Sequence, residues 1–539
     1  MRPQKQLNRS SRHIDAVCAW VKGLSGLVIS LIVLITLGGA DPSKAQAVLE
    51  RNPMPRQDRP GRIGAEKRDL AFTEMPGQVR ALAALSVLLG CPTATSITAN
   101  VMSEQSSDIY IEFGTKPGIY TEKTAIQNIA PTEPIEVLLD HLQPNSRWYY
   151  RLRYRNVGQT EFAAIAAQSF HTQRAPGSSF VFELQGDSHP ERPQQFDASL
   201  YAQTLSLAAA DSPDFYITMG DDFSVDTLPE LTRKAVAQRY VLQRPYLALV
   251  GQRAPIFMVN GNHEQAAQFN LNGTAENVAV WAQTARNRLY PQPAPDSFYS
   301  GNGQLVEHIG FLRDYYAWTW GDALFVVIDP YWHSSVPVDN RLGERGKKRD
   351  MWGITLGDAQ YQWLQQTLES STAKYKFVLS HHVLGTGRGG IEQADSFEWG
   401  GKNRRGDDEF ANHRPSWALP IHALMVKNKV TAFFQGHDHV FAHQQLDGIT
   451  YQTLPQPADP NYALNYGDAY RSGDILPNSG RLRVTVSPVT VKVEYTVPHR
   501  QLGFRLQCAR IRRNMEISYW QRPCESRPIS PKMVSMDHP

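Results

Sequence analysis

The sequence predicts an α/β protein built on a largely parallel sheet and preceded by a small all-β sandwich. Two patterns carry that expectation. From Ser178 onward, short apolar runs alternate with stretches of helical periodicity, and polar clusters gather at the ends of the runs. Before Ser178, short strand-like segments follow one another at regular spacing with turn residues between them. A chain of 539 residues has room for both units.

The amino terminus has its own grammar. Arg2, Lys5, Arg9, Arg12 and Lys22 precede an apolar stretch from Leu24 to Leu37, and Ala45-Gln46-Ala47 follows as a small-residue cleavage pattern. That order predicts a secretory signal peptide over residues 1–47. The competing reading, an uncleaved anchor, needs ~20 apolar residues to span a bilayer, more than the run supplies. The mature chain is expected to be exported, periplasmic or extracellular, and to meet a membrane only if the segment stays uncleaved. Hydrophobic content of 41% and charged content of 20% suit a globular protein with a sizeable core. A formal net charge of +3, without a basic, aromatic-lined stripe, gives no footing for nucleic acid as a partner. Of the four cysteines, Cys508 and Cys524 can pair outside the cytoplasm, and their spacing matches no zinc-ligand pattern.

In order along the chain, residues 48–77 are rich in Arg and Pro and read as a linker. Val79 to Leu89 reads as an apolar helix. Strands are expected at Ser96–Met102, Asp108–Phe113, Pro134–Leu139, Trp148–Tyr154 and Ala167–Phe170, with Lys116-Pro117-Gly118 and Gln143-Pro144-Asn145 as turns. The run from Leu142 to Arg151 resembles fibronectin type III-like modules, so residues 78–175 are expected to form such a sandwich.

Residues 178–498 then carry the α/β alternation. Strands are expected at Phe180–Leu184, Asp214–Met219, Ile256–Val259, Ala323–Ile328, Tyr375–Leu379 and Val430–Phe434. Helices are expected at Phe196–Ala210, Pro229–Leu249, Asp358–Leu368 and near Trp417–Val426. Two long connections, Gln265–Tyr316 and Leu384–Arg414, interrupt the alternation, and such loops are usually functional or disordered. Arg481–Thr496 alternates and reads as a hairpin closing the sheet edge, followed by a polar tail, 499–539.

The strand ends gather Asp187, His189, Asp221, Asn262, His381, His437 and His439, all oxygen or imidazole donors. Such a set suits Mn, Zn or Fe rather than a thiolate site. Two ions held side by side form a clamp for in-line displacement at phosphorus. Asp187-Ser-His189, Gly220-Asp221, Gly261-Asn262-His263-Glu264, His381 and Gly436-His437-Asp-His439 occur in the order D-x-H, G-D, G-N-H-E/D, H, G-H-x-H. In this the chain resembles the calcineurin-like metallophosphoesterase superfamily, and with its preceding β-domain it looks most like the purple-acid-phosphatase-type and PhoD-like members.

The resemblance implies a four-layer α/β/β/α sandwich and two divalent or trivalent ions (Mn, Zn or Fe). It implies Asp187, His189, Asp221 and His439 on one ion, with Asp221, Asn262, His381 and His437 on the other. It also implies a metal-bridging hydroxide as nucleophile toward a small phosphate ester. His263 would bind a phosphoryl oxygen or protonate the leaving group. His381 or His382 can be the donor after its strand; the family's H-x-P pattern favours His381, although Val383 stands in the proline's place. Arg388 in the Gly385–Gly390 loop is a candidate for substrate phosphate, and His333 a weaker one. Phosphomonoesters are the expected substrates. The alternatives are a phosphodiesterase of the same fold and a non-catalytic surface protein that binds through its sandwich. Purple acid phosphatases carry G-D-x-x-Y, whose tyrosine ligates ferric iron, and a glycine where His189 stands. Ser224 takes the tyrosine's place, so a colourless site with divalent ions is expected, and Ser224→Ala is expected to matter little.

Overall fold

Residues 75–338, 350–383, 388–498 and, as backbone, 508–511 are described by the computed structural model. The signal segment, the linker as far as residue 74, and Cys524 lie outside the described residues. The disulfide expected with Cys508 therefore has no structural counterpart to report.

Helix α1 (Gly77–Ala84) passes directly into strand β1 (Leu85–Gly90). The single helix expected over Val79–Leu89 is thus corrected. Its second half pairs antiparallel with β2 (Ile97–Ser103), from Leu85 opposite Ser103 to Gly90 opposite Thr98. A continuous apolar run suits a strand buried on both faces as well as a helix, and β1 is such a strand. Val87 and Leu89 join the core of the β layers, while Leu88 joins the helical core behind them.

Strands β3 (Ser107–Gly114), β4 (Ile135–Leu139), β5 (Arg147–Asn156) and β6 (Gln168–His171) follow. β1, β2 and β4 form one antiparallel sheet, and β3, β5 and β6 belong to another. Both contribute to a shared core that includes Ile97, Ile111, Trp148 and Phe170. This β-rich unit is fastened to the rest. Arg244, fully buried, donates to Ser86 Oγ (3.0 Å), to the Asn100 carbonyl (2.9 Å) and to the Leu289 carbonyl.

The larger body holds two sheets face to face. One contains β7 (Phe180–Gln185), β8 (Phe215–Thr218) and β9 (Ile256–Met258), mutually parallel, and α2 (Ala198–Asp211) and α3 (Arg233–Gly251) connect them. Asp197 and Thr232 cap these helices by accepting from the backbone N–H three residues on. Helix α4 (Val278–Leu289) lies inside the Gln265–Tyr316 connection, capped by Asn277, so that stretch is ordered structure rather than plain loop. β10 (Tyr316–Trp320) and β11 (Ala323–Val327) open the second sheet. After α5 (Gly357–Ser370), β12 (Tyr375–Leu379) lies parallel to β11. After α6 (Ile421–Lys427), β13 (Ala432–Gln435) lies parallel to β12. β14 (Phe441–Leu446), β15 (Ile449–Thr453) and β16 (Asp474–Leu476) complete it, in the order β10-β11-β12-β13-β15-β14-β16 with the short strand Ser300–Gly301 beside β10.

Phe182, Leu184 and Ile217 of the first sheet share a core with Phe325, Phe377 and Phe434 of the second. The rings of Phe182 and Phe325 meet edge to face at 5.0 Å. Tyr201, Leu205, Tyr240 and Leu247 from α2 and α3 cover the outer face of the first sheet. Leu364, Leu368 and Leu424 from α5 and α6 cover the second. The layers therefore run α/β/β/α.

The alternating segment after Gly480 forms a hairpin of β17 (Arg481–Val486) and β18 (Val491–Thr496). It does not close an edge. β17 pairs antiparallel with β7 in the middle of the first sheet, and β19 (Cys508–Ile511), from the stretch read as tail, pairs with β18. Alternation identifies a strand with two unlike faces but leaves its neighbours open.

Candidate metal centre

Because β7, β8 and β9 are parallel, as are β11, β12 and β13, their carboxyl ends share one edge of the sandwich. Asp187 and His189 follow β7, Asp221 follows β8, Asn262 and His263 follow β9, His381 follows β12, and His437 and His439 follow β13. Ligand groups of open α/β sheets lie in this position.

The connecting turns are unusually tight. A Cβ on Gly261 would sit 2.2 Å from Asp221 Oδ1, and one on Gly436 would sit 2.6 Å from Asp187 Oδ1, so only glycine fits either turn. His189, Asp221, His437 and His439 all adopt left-handed backbone angles, with φ of 44°, 51°, 69° and 50°. Each costs on the order of 1–3 kcal/mol, and such costs gather at functional sites.

Two groups of donors result. Asp187, His189 and His439 form one, and Asp221, His381 and His437 the other; within each, one ligand atom per residue lies within 4.8 Å of the rest. Asp221 Oδ2 is 3.2 Å from His381 Nε2 and 3.9 Å from His189 Nε2, which places this carboxylate between the groups. Asp187 Oδ2 is 3.0 Å from His439 Nε2 and 4.0 Å from His381 Nε2. Asn262 Oδ1 joins the second group, 3.1 Å from His381 Nε2.

The surroundings fix which nitrogens can bind metal. His381 Nδ1 lies 2.7 Å from the Met219 carbonyl, which can only accept, so the proton sits on Nδ1 and Nε2 presents its lone pair inward. His189 Nδ1 faces Glu191 Oε1 (3.3 Å) and Ser224 Oγ (3.2 Å), and among the described residues its buried Nε2 has no hydrogen-bond partner. An orphaned imidazole nitrogen aimed between two carboxylates, in a set of oxygen and nitrogen donors without sulfur, fits a bound divalent or trivalent ion. The choice between the paired histidines falls to His381, since His382 turns its Nδ1 toward the Tyr331 hydroxyl at 3.4 Å.

The field of the site is strongly coupled. Without ions, burial works to lower the His381 imidazole, but Asp221 and Asp187 outweigh it and raise it to about 10, so a metal would take the place of a proton on Nε2. Burial works to raise the Asp221 carboxyl, but the charged His381 and His263 outweigh it and hold it well below the usual range. Asp187 is lowered in the same way by His381 and His439 against its burial. Burial, reinforced by Arg192, takes the His189 imidazole down to about 4, which keeps it neutral and able to ligate.

His263 stands apart from both groups. Its side chain is 16% exposed, more than any donor beside it, and Nδ1 lies 2.7 Å from Asp226 Oδ1. Nε2 is 3.8 Å from Asp221 Oδ2. Burial lowers its pKa, but Asp221 and Asp226 raise it further, and the net direction is upward.

Arg388 reaches the edge of the site. It donates to the His437 carbonyl and to Asp438 Oδ1 (3.1 Å), and its guanidinium lies 3.9 Å over the Tyr466 ring. That ring is 6.3 Å from the ring of His439. His333 is not brought to the site. Its Nε2 is 3.5 Å from Asp314 Oδ2 and its ring packs on Tyr315, neither of which belongs to the donor groups.

Four supporting residues escape sequence reasoning. Glu191 and Ser224 orient His189, Asp226 orients His263, and Asp438 holds Arg388 while accepting from Gly389 N and the Tyr470 hydroxyl, each at 2.7 Å. Ser224, expected to matter little, stands 3.2 Å from His189 Nδ1, so the effect of Ser224→Ala on metal binding is a test of that expectation. A carboxylate five residues past the Gly220-Asp221 motif carries no spacing rule, so Asp226 had no signal. Glu264, the last residue of its motif, accepts from Gly261 N (2.9 Å) and Asp222 N (2.8 Å) and ties two ligand loops together.

Residues 184–441 match the family described as Calcineurin-like phosphoesterase, and they form a domain of that kind. Among solved structures, the chain is similar to PhoD at 15% identity over 79% of this chain and 87% of that one, with a TM-score of 0.53. It is also similar to the purple acid phosphatase PPD1 from yellow lupin (Lupinus luteus) seeds, at 16% identity over 77% and 72% of the two chains, with a TM-score of 0.49. At these identities the likeness is one of fold. No curated protein matches the sequence.

Proposed function

We propose that the chain is an exported phosphoesterase that hydrolyses small phosphate esters, monoesters first, with two metal ions held by Asp187, His189, His439 and by Asp221, Asn262, His381, His437. The observation that carries this reading is the pair of donor groups with the Asp221 carboxylate between them, and His263 outside them on its own carboxylate. Two ions bound there supply charge neutralisation at a phosphoryl group and lower the pKa of a water for attack. His263, whose hold on a proton Asp221 and Asp226 strengthen against burial, is placed to give its Nε2 proton to the leaving oxygen. Asp226 holds the ring in that orientation and stabilises the cation. Asn262 adds a neutral oxygen, which limits the negative charge met by an anionic substrate. Arg388, laid over Tyr466 beside His439, is placed to meet the phosphoryl oxygens.

Export rests on the charged, apolar and small-residue order of the first 47 residues. Among the described residues no helix is long and apolar enough to cross a membrane. The test is a hydrolysis screen of the purified mature protein against monoesters, diesters and nucleotides, with Mn, Zn and Fe supplied separately. Turnover of monoesters above diesters supports the reading. Two bound metals with no ester hydrolysed would assign the chain a binding role instead.

A further inference from the structure

A second charged cavity lies at the other end of the sheets. It has a volume of about 200 Å3 and is lined by Arg147, Tyr149, Gln168 and His171 from the β-rich unit, and by Ser212 and Arg253 from the larger body. Among the described residues no acidic side chain lines it. Ser212 and Pro213 lie just before β8, separated from it by Asp214, which pairs with Arg174; the opposite end of β8 leads to Asp221, so the length of that strand separates this cavity from the donor groups.

The arginines here differ from those around them. Arg151, Arg155 and Arg174 each pair with a carboxylate, Glu112, Asp108 and Asp214. Arg253 donates from Nε to Gln168 Oε1 (2.7 Å) and Arg147 donates from Nη1 to Ser169 Oγ (3.2 Å). Among the described residues each thus bonds a neutral side chain. Two guanidiniums that line one cavity without a compensating carboxylate leave positive potential in it, and their planar forks match the oxygens of a phosphate group. His171 adds a complementary group. Its Nδ1 lies 2.6 Å from the Thr172 carbonyl, so that nitrogen holds the proton and Nε2 is an acceptor. The residue is 7% exposed, and burial, joined by Arg174 and Arg147, outweighs the Thr172 carbonyl and Asp214 and pushes its pKa down, which favours the neutral ring. Hydrogen phosphate satisfies both kinds of partner, accepting from the arginines and donating its own proton to the imidazole.

We propose that this cleft is a binding site for a small phosphate-type dianion, held between Arg147 of the β-rich unit and Arg253 of the larger body. A dianion there exchanges repulsion between two like charges for attraction to both, and so ties the two parts of the chain together.

Equilibrium dialysis of inorganic phosphate against the metal-loaded mature protein tests it. The wild type is expected to bind one phosphate more per chain than Arg147→Gln/Arg253→Gln, with the melting temperature in phosphate-free buffer unchanged. Arg253 is exposed, so Arg253→Gln alone repeats the test if the double variant folds poorly, with a phosphate affinity at least about tenfold weaker. Sulfate, which has no proton to give His171, is expected to bind this site at least about tenfold more weakly. Equal phosphate stoichiometry and affinity in wild type and variants overturn the site, and equal binding of sulfate overturns its assignment to phosphate. The signature is a difference between proteins with the same metal centre, so it stands whether or not that centre binds phosphate.

Discussion

Asn262 and His263 are neighbours in the chain, yet the turn after β9 sends one into the donor set and the other to its rim. The separation gives a clean test. His263→Ala is expected to keep both metals and the fold while turnover falls roughly 10²–10⁴-fold, the scale of a lost general acid. Metal analysis beside the rate decides it, since loss of metal in step with activity would make His263 a ligand. Ser224 tests the layer behind. Its hydroxyl accepts from Arg192 Nη2 (2.5 Å) and stands at His189 Nδ1, so Ser224→Ala should weaken metal binding about tenfold, the lower end for an outer partner, because Glu191 remains. An unchanged metal dissociation constant would return Ser224 to the bystander role its sequence position suggested. The donors themselves were legible from five ordered motifs. Their carboxylate supports were not, since Glu191 and Asp226 acquire meaning only when folding brings them to an imidazole.

Elements were legible where one periodicity held throughout. β7, β8 and β12 are short apolar runs ended by polar clusters, and they formed as strands within a residue or two of expectation. Reading failed at β1, where an apolar run gave two periodicities equal standing, and at β19, whose pairing with β18 depends on a distant hairpin. The Leu384–Arg414 insertion shows how a long connection is anchored. Glu398, 0% exposed, accepts from Arg414 Nε, Thr355 Oγ1 and Leu356 N, the last at 3.1 Å. Burial raises its carboxyl to about 7, only partly offset by Arg414. A folded pKa above the unfolded value of about 4.3 means the folded state binds more protons between those values. This group therefore makes stability fall as pH rises from about 4.3 to 7, and has no further effect above that window. Melting curves across it should show a shallower fall for Glu398→Gln than for wild type. The same slope in both would place the pH dependence elsewhere.

At the scale of the whole molecule, two sheets and their connections deliver side chains from five strand ends to one edge, and the site bears a cost for it. Four donors sit in left-handed backbone conformations, and two buried carboxylates face each other through imidazoles. Ions bound there would offset both costs, since a ligand that binds only the folded state stabilises it by mass action, about 2.7 kcal/mol at a hundred times its dissociation constant. Chelation should therefore lower the melting temperature as well as abolish activity, and restored metal should recover both. The donor set also bears on which ions. His189 adds a neutral nitrogen where purple phosphatases carry glycine, and Ser224 removes the anionic phenolate. Tyr331 does not replace it, for its hydroxyl turns to His382 while its ring lies 6.1 Å from that of His381. A site with more imidazole and no phenolate loses its preference for ferric iron and suits divalent Mn or Zn. The active protein should then be colourless and hold two ions per chain. Elemental analysis and a visible spectrum on the same sample check both statements together. A tyrosinate-to-iron absorption band, or full activity with one ion per chain, would show that the extra imidazole and the missing phenolate do not compensate each other as argued.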